Sequence, residues 1–228
     1  MNEQTSTNKT PTGFRNLLFF LLVYIFGSPF LYPFPSLEVI AHASLSVALF
    51  FSIYAVQKQQ NYRSFAMVLL LPVLILYWLG IYEIISFGRV GSYILIALYF
   101  GLLVFSFGSQ IIRSPKITVN VIFATLCLYL VIGLFWGALY TLLFELNPNS
   151  FAGVLVETTP SDSHLTTFNY FSMVTLTTLG YGDITPQTPA AAALSQVEAI
   201  TGQFFTAVVV AWLVGNFVRD RQTDQEQP

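Results

Sequence analysis

Charge is what this sequence has least of. Only 9% of its 228 residues are Asp, Glu, Lys or Arg, against 55% hydrophobic, whereas a soluble globular chain carries about 25% charged residues. That supply is too small for a water-facing surface, so a membrane protein is the indicated class. The formal net charge of -2 offers no basic surface, and no nucleic-acid partner is expected. A single cysteine, Cys127, excludes an intrachain disulfide; within its apolar run it reads as a small buried side chain. There are two histidines, with no His–Glu–x–x–His run and no nucleophile beside a suitably spaced base. The chain is therefore not expected to be an enzyme, and no cofactor is expected.

Apolar runs are what it has instead. A spanning helix needs ~20 mostly apolar residues. Six runs qualify, over about 16–33, 37–56, 64–85, 90–108, 117–143 and 194–218. A seventh, His164 to Leu176, is too short to span and is expected to re-enter the membrane. The fold class is thus an all-α membrane protein with six transmembrane helices plus a re-entrant helix, with the bilayer as its solvent. The organisation read from these runs is a tail at 1–15, a four-helix unit at 16–113, a second unit at 114–218 and a tail at 219–228.

Lys and Arg set the orientation. With six helices threaded alternately, Lys9, Arg15, Lys58, Arg63, Arg113, Lys116, Arg219 and Arg221 fall on one side and Arg89 on the other. Both termini are therefore expected in the cytoplasm, and the segment after the re-entrant run faces outward. The outer side also collects Glu145, Glu157, Asp162 and Asp183. These are either solvated or set to attract cations at a mouth.

The stretch "TLTTLGYGDITP", Thr175 to Pro186, follows the re-entrant run. Backbone at membrane depth must be paired or must line a watery or ion-filled space. Gly180 and Gly182 suit an extended strand better than a lipid-facing helix. In ordinary β structure successive carbonyls alternate in direction. Aiming them all one way requires alternating backbone handedness, which glycine reaches at little cost. When several chains meet, such carbonyls form stacked oxygen rings able to replace the water shell of a cation.

"TLTTLGYGD", Thr175 to Asp183, placed after a short apolar helix and before a long one, resembles the signature of the tetrameric potassium-channel family. The resemblance extends over roughly 120–218, the pore domain, and leaves the first four helices with the six-helix plan alone. It implies a selectivity filter in which Thr178 offers hydroxyl and carbonyl oxygens at the inner end. Leu179, Gly180 and Tyr181 offer carbonyls, Gly182 closes the outer end, and Asp183 stands beyond the mouth. It further implies a homotetramer of four identical chains around one pore, with K+ as the permeant ion. By resemblance the location is a prokaryotic inner membrane. Leu179 departs from the family's usual valine, which puts the degree of selectivity in question more than conduction.

Other residues take roles from this frame. Asp162 and Ser163 are good N-cap types for the re-entrant helix, whose C-terminal dipole end aims at the centre. Tyr170 and Phe171 fall where the family buttresses its filter, and Tyr170 is within reach of a strut to Asp183. On the last helix, Gln203, Thr206, Val210 and Val214 share one face, read as cavity lining with helix–helix bonding as the alternative. Gly202 sits where the family places a hinge; close packing is the other reading. Glu198 lies in the outer third of that helix with no basic residue nearby in sequence. It is expected to hydrogen-bond to the re-entrant helix behind the filter or to carry a proton. Gly133 to Gly137, "GLFWG", is a small-xxx-small packing pattern. His42 reads as a packing histidine and His164 as a solvated helix-start residue. Glu38 and Glu83 read as solvated near outer helix ends.

The fourth helix has Arg89 and then no charge until Arg113. A voltage sensor needs arginines repeated every three residues, so weak or absent voltage gating is expected. The readings to be weighed are a potassium-selective channel, a less selective cation channel owing to Leu179, and a non-conducting membrane sensor or assembly subunit.

Overall fold

The computed structural model describes residues 13–31, 35–55, 60–81, 88–114, 117–160 and 163–225. Lys9, Lys58, Lys116, Glu83 and Asp162 lie outside the described residues, as do the side chains of Glu38, Arg63, Arg219 and Arg221. The described chain is all-helical apart from one small hairpin-like pairing. The helices are α1 Gly13–Leu31, α2 Pro35–Ala55, α3 Gln60–Ile81, α4 Gly88–Ile112, α5 Val119–Leu146, α6 Val154–Thr158, α7 His164–Leu176 and α8 Pro189–Gln225. Two short strands, β1 Phe151–Ala152 and β2 Thr185–Pro186, pair antiparallel, with Phe151 opposite Pro186 and Ala152 opposite Thr185.

Each apolar run became a helix, and the re-entrant run did so with the limits expected. Among the described residues, three helical stretches are long and apolar enough to cross a membrane: Arg89–Ile112, Val119–Leu146 and Pro189–Trp212. The apolar stretches of α1, α2 and α3 are shorter, at Gly13–Gly27, His42–Ala55 and Ala66–Leu79. The last helix starts earlier than hydropathy indicates. Pro189 has the φ a first helical turn needs, four alanines follow it, and alanine has the highest helix propensity. Thr188 accepts at its hydroxyl from the Ala191 N–H, 3.3 Å away, and caps the turn. Hydropathy alone passes over this signal, because alanine is only weakly apolar.

The helices pack as α1 on α2, α3 on α4 and α4 on α5, while α7 lies between α5 and α8. The beginnings of α1 and α5 meet the ends of α2 and α4 around one cavity lined by Phe14, Tyr54, Gln110 and Asn120, as antiparallel threading requires. The core follows helical spacing. Tyr99, Phe100, Leu103 and Phe107 of α4, and Leu17, Leu21 and Tyr24 of α1, are buried. Several polar groups inside the four-helix unit are paired with one another, as low dielectric favours. The Ser52 and Tyr99 hydroxyls lie 2.7 Å apart, His42 Nδ1 lies 2.6 Å from the Tyr77 hydroxyl, and the Trp78 indole donates to Ser46 Oγ at 3.2 Å. His42 is accordingly a packing histidine.

The peripheral unit also grips the second one. Tyr24 of α1 accepts from the Asn169 amide of α7 at 3.0 Å, and the Cys127 thiol donates to the Phe14 carbonyl at 3.4 Å. The small residues of α5 let α7 approach. A Cβ at Gly133 would meet Met173 Cε at 2.5 Å, and one at Gly137 would meet Asn169 Oδ1 at 2.1 Å and its Cα at 2.9 Å. Ser172 Oγ, on the same face of α7, lies 2.7 Å from the Gly133 carbonyl oxygen. The small-xxx-small pattern is therefore a seat for α7. Gly137→Ala pushes against backbone, which cannot rotate away, and is expected to destabilise the protein by about 1–3 kcal/mol. Thermal unfolding of the detergent-solubilised protein checks this; an unchanged midpoint would show that α5 and α7 do not meet here.

Candidate functional site

The stretch 177–183 begins as a helix ending. The Thr178 N–H reaches the Thr175 carbonyl at 2.9 Å, and the Leu179 N–H reaches that of Val174 at 3.0 Å. This pair of bonds is a Schellman cap, whose C′ residue must be left-handed. That residue is Thr178, at φ 58°. Glycine usually takes the position; a β-branched side chain there is strained. Gly180 and Gly182 follow at φ 59° and 78°, whereas Leu179 and Tyr181 between them are not left-handed. Handedness thus alternates over five residues. A Cβ at either glycine would find open space, so glycine is needed there for conformation and not for room. Every side chain from Thr177 to Asp183 is exposed in the single chain.

Contacts at both ends and behind hold this stretch. At its inner end, the Gln203 amide of α8 donates to Thr178 Oγ1 at 3.0 Å. At its outer end, the Tyr170 hydroxyl donates to Asp183 Oδ2 at 2.5 Å. Burial, the Asp183 hydrogen bond and the nearby negative charge raise the Tyr170 phenol to about 12, so it remains a donor at neutral pH. Further out, Gly153, at φ 150°, admits the Asp183 carbonyl so closely that a Cβ would lie 2.1 Å from its oxygen. The β1–β2 pair and a Gln187 N–H to Ser150 carbonyl bond of 2.8 Å fasten the return to α8. Behind the stretch, a Cβ at Gly202 would lie 1.9 Å from the Leu176 carbonyl oxygen. Gly202 is therefore a point of close packing, and α8 runs through it unbroken.

Glu198 is fully buried, with both carboxyl oxygens occupied. Tyr140 of α5 donates to Oε2 at 2.5 Å, and Ser172 of α7 donates to Oε1. One side chain from α8 thus joins three helices behind the stretch. The expected contact with the re-entrant helix is present through Ser172; Tyr140 was not anticipated, because no local sequence pattern links residues 58 apart. Phe171 is buried, its ring 5.1 Å from that of Tyr140 and 5.5 Å from that of Phe151.

Gln203, Thr206, Val210 and Val214 lie along one face of α8 and are all exposed in the single chain. Thr206 also bonds back to the Gly202 carbonyl at 3.1 Å. Ser163 is the N-cap of α7, as its residue type suggests, but makes no side-chain capping bond, because its backbone lies outside the extended region typical of such caps. One expectation needs correction. His164 is not a solvated helix-start residue. It is partly buried, its Nδ1 lies 3.4 Å from Glu145 Oε1 and its ring packs edge-on to Phe144. Gly153, Ser172 and Tyr24 are further supporting residues that sequence reading passed over; Gly153, flanked by Ala152 and Val154, carries no turn signal in its neighbours.

A family model described as an ion channel matches residues 117–219. This stretch is similar to an ion-channel segment. It runs from just before α5 into α8 and covers less than half of the chain. Neither the curated proteins nor the solved structures gave a match. The match supports a membrane protein engaged in ion transport and gives no support to an enzyme. Within this segment, Ser172→Ala leaves one buried Glu198 oxygen without its donor. It is expected to cost about 1–3 kcal/mol, read as a lower midpoint of thermal unfolding in detergent. An unchanged midpoint would remove Glu198 from the set of contacts that hold α7.

Proposed function

We propose that the chain is one subunit of a homotetrameric potassium-selective channel, with Thr178 to Gly182 as the filter strand and Asp183 at the outer mouth. The single observation that carries this reading is the alternation of handedness at Thr178, Gly180 and Gly182. That alternation is what turns successive carbonyls toward one side. Four strands so built around an axis make stacked oxygen rings that substitute for the hydration shell of K+. One chain supplies one strand, so the ring closes only with further copies.

Supporting features come from the same stretch. The filter residues are exposed in the single chain, and so are Ile200, Phe204 and Val208 of α8, an apolar face that neighbouring copies and lipid would cover. Gln203, Thr206, Val210 and Val214 would then line an inner cavity. In this reading all six long helices span the inner membrane, both termini are cytoplasmic, and K+ moves passively without a cofactor. Voltage dependence is weak, because α4 carries Arg89 at its start and no arginine series. A less selective cation channel is the second reading, favoured by the leucine at 179, whose side chain is 57% exposed and finds its packing only against a neighbour.

Reconstituted liposomes are expected to show K+ flux down its gradient, with Na+ flux at least about tenfold lower, roughly 1.4 kcal/mol of discrimination. Gly180→Ala is expected to abolish or strongly reduce the flux, since alanine resists positive φ. A smaller K+ advantage would favour the less selective channel. Absence of flux at varied pH, lipid and membrane tension would favour a non-conducting assembly subunit. Chemical cross-linking of the purified protein is expected to stop at four chains.

A further inference from the structure

Gln203 is placed to do more than line a cavity. Its side-chain amide donates a hydrogen bond to Thr178 Oγ1 at 3.0 Å, across 25 residues and between two different elements. It lies one residue past the close approach of Gly202 to Leu176. The partner is no ordinary threonine. Thr178 is a left-handed, β-branched residue, in a conformation that persists only when its surroundings hold it. Both groups line the same concavity beneath the strand, with Ala199, Ile200, Phe204 and Ala207 as the other walls. The Gln203 amide is thus the polar side chain that meets the inner end of the filter there.

A hydroxyl oxygen has two lone pairs. When an N–H takes one of them, a single lone pair remains for a cation, and the positive end of the N–H dipole stands beside the place where that cation would sit. We propose that Gln203 is a specificity-determining residue that weakens cation binding at the innermost position of the filter, by engaging the Thr178 hydroxyl. The inference rests on the channel reading given above. In a fourfold assembly each hydroxyl of the inner ring would be engaged in this way. A weaker innermost site releases ions to the cavity faster and binds blocking divalent cations less tightly.

The test uses Ba2+, a divalent cation close to K+ in size, as a blocker applied to the C-terminal side of the reconstituted full-length channel. Gln203→Leu removes the donor at similar volume. Gln203→Asn keeps an amide in the cavity but is one methylene too short to reach Thr178. Both are expected to tighten Ba2+ block by roughly three- to tenfold, the equilibrium range of one net hydrogen bond. In a Thr178→Ala background the Gln203→Leu change is expected to have no effect on block. Gln203→Asn behaving as wild type would overturn the proposal, because polarity in the cavity and not contact with Thr178 would then be what matters. Block that weakens or stays constant in Gln203→Leu would overturn it as well, as would a Gln203→Leu effect that survives loss of the hydroxyl. Wild-type protein that carries no K+ flux would instead overturn the channel reading itself, and this inference with it.

Discussion

A backbone that alternates in handedness cannot be held by the bonds of a helix or a sheet, and must be held from outside. The stretch 178–182 is such a backbone, and most of the second half of the chain can be read as its support. The helix α7 ends in a Schellman cap that launches it. Gln203 holds its inner end, Tyr170 and Gly153 its outer end. Glu198 ties α5, α7 and α8 together behind it. Each of these supports uses either a charge-assisted or polar hydrogen bond or a missing Cβ. Both are short-ranged and directional, as a strained segment needs.

The burial of Glu198 illustrates why such a support is stable. A carboxyl away from water is costly unless its oxygens are matched. Here two hydroxyl donors from two other helices do this, so the cost of burying the group becomes an energetic reason for the three helices to stay in register. The glycines act by the opposite route. Gly133, Gly137 and Gly202 remove side-chain bulk where α7 meets its neighbours, and packing at that distance is what fixes α7 against α5 and α8. The four-helix unit joins in through Tyr24, whose hydroxyl accepts from Asn169, the residue next to Tyr170. The contact of α1 on α7 thus falls within one helical turn of the residue that makes the Asp183 strut.

Much of this was legible in the order of residues. Hydropathy located all the long helices and α7, because an apolar run of given length has few alternatives in a bilayer. It misjudged the start of α8, since the capping threonine, the proline and the alanines act through backbone conformation and not through hydropathy. Gly180 and Gly182 were readable as left-handed positions from their residue type alone. Thr178 was not, because nothing about a threonine announces positive φ; the cap geometry of α7 imposes it. Likewise the close packing at Gly202 and the pairing of His164 depend on what lies opposite in space.

What the sequence determined by itself is the class of molecule, the helices and the short polar stretch with its two glycines. These follow from composition and from local conformational preference, which act within a few residues. What the tertiary structure alone decided is which side chains support that stretch. Tyr140 with Glu198, Asn169 with Tyr24 and Gln203 with Thr178 are pairs separated by 58, 145 and 25 residues. Hydrogen bonds reach only about 3 Å, so such partners are chosen by how the helices pack.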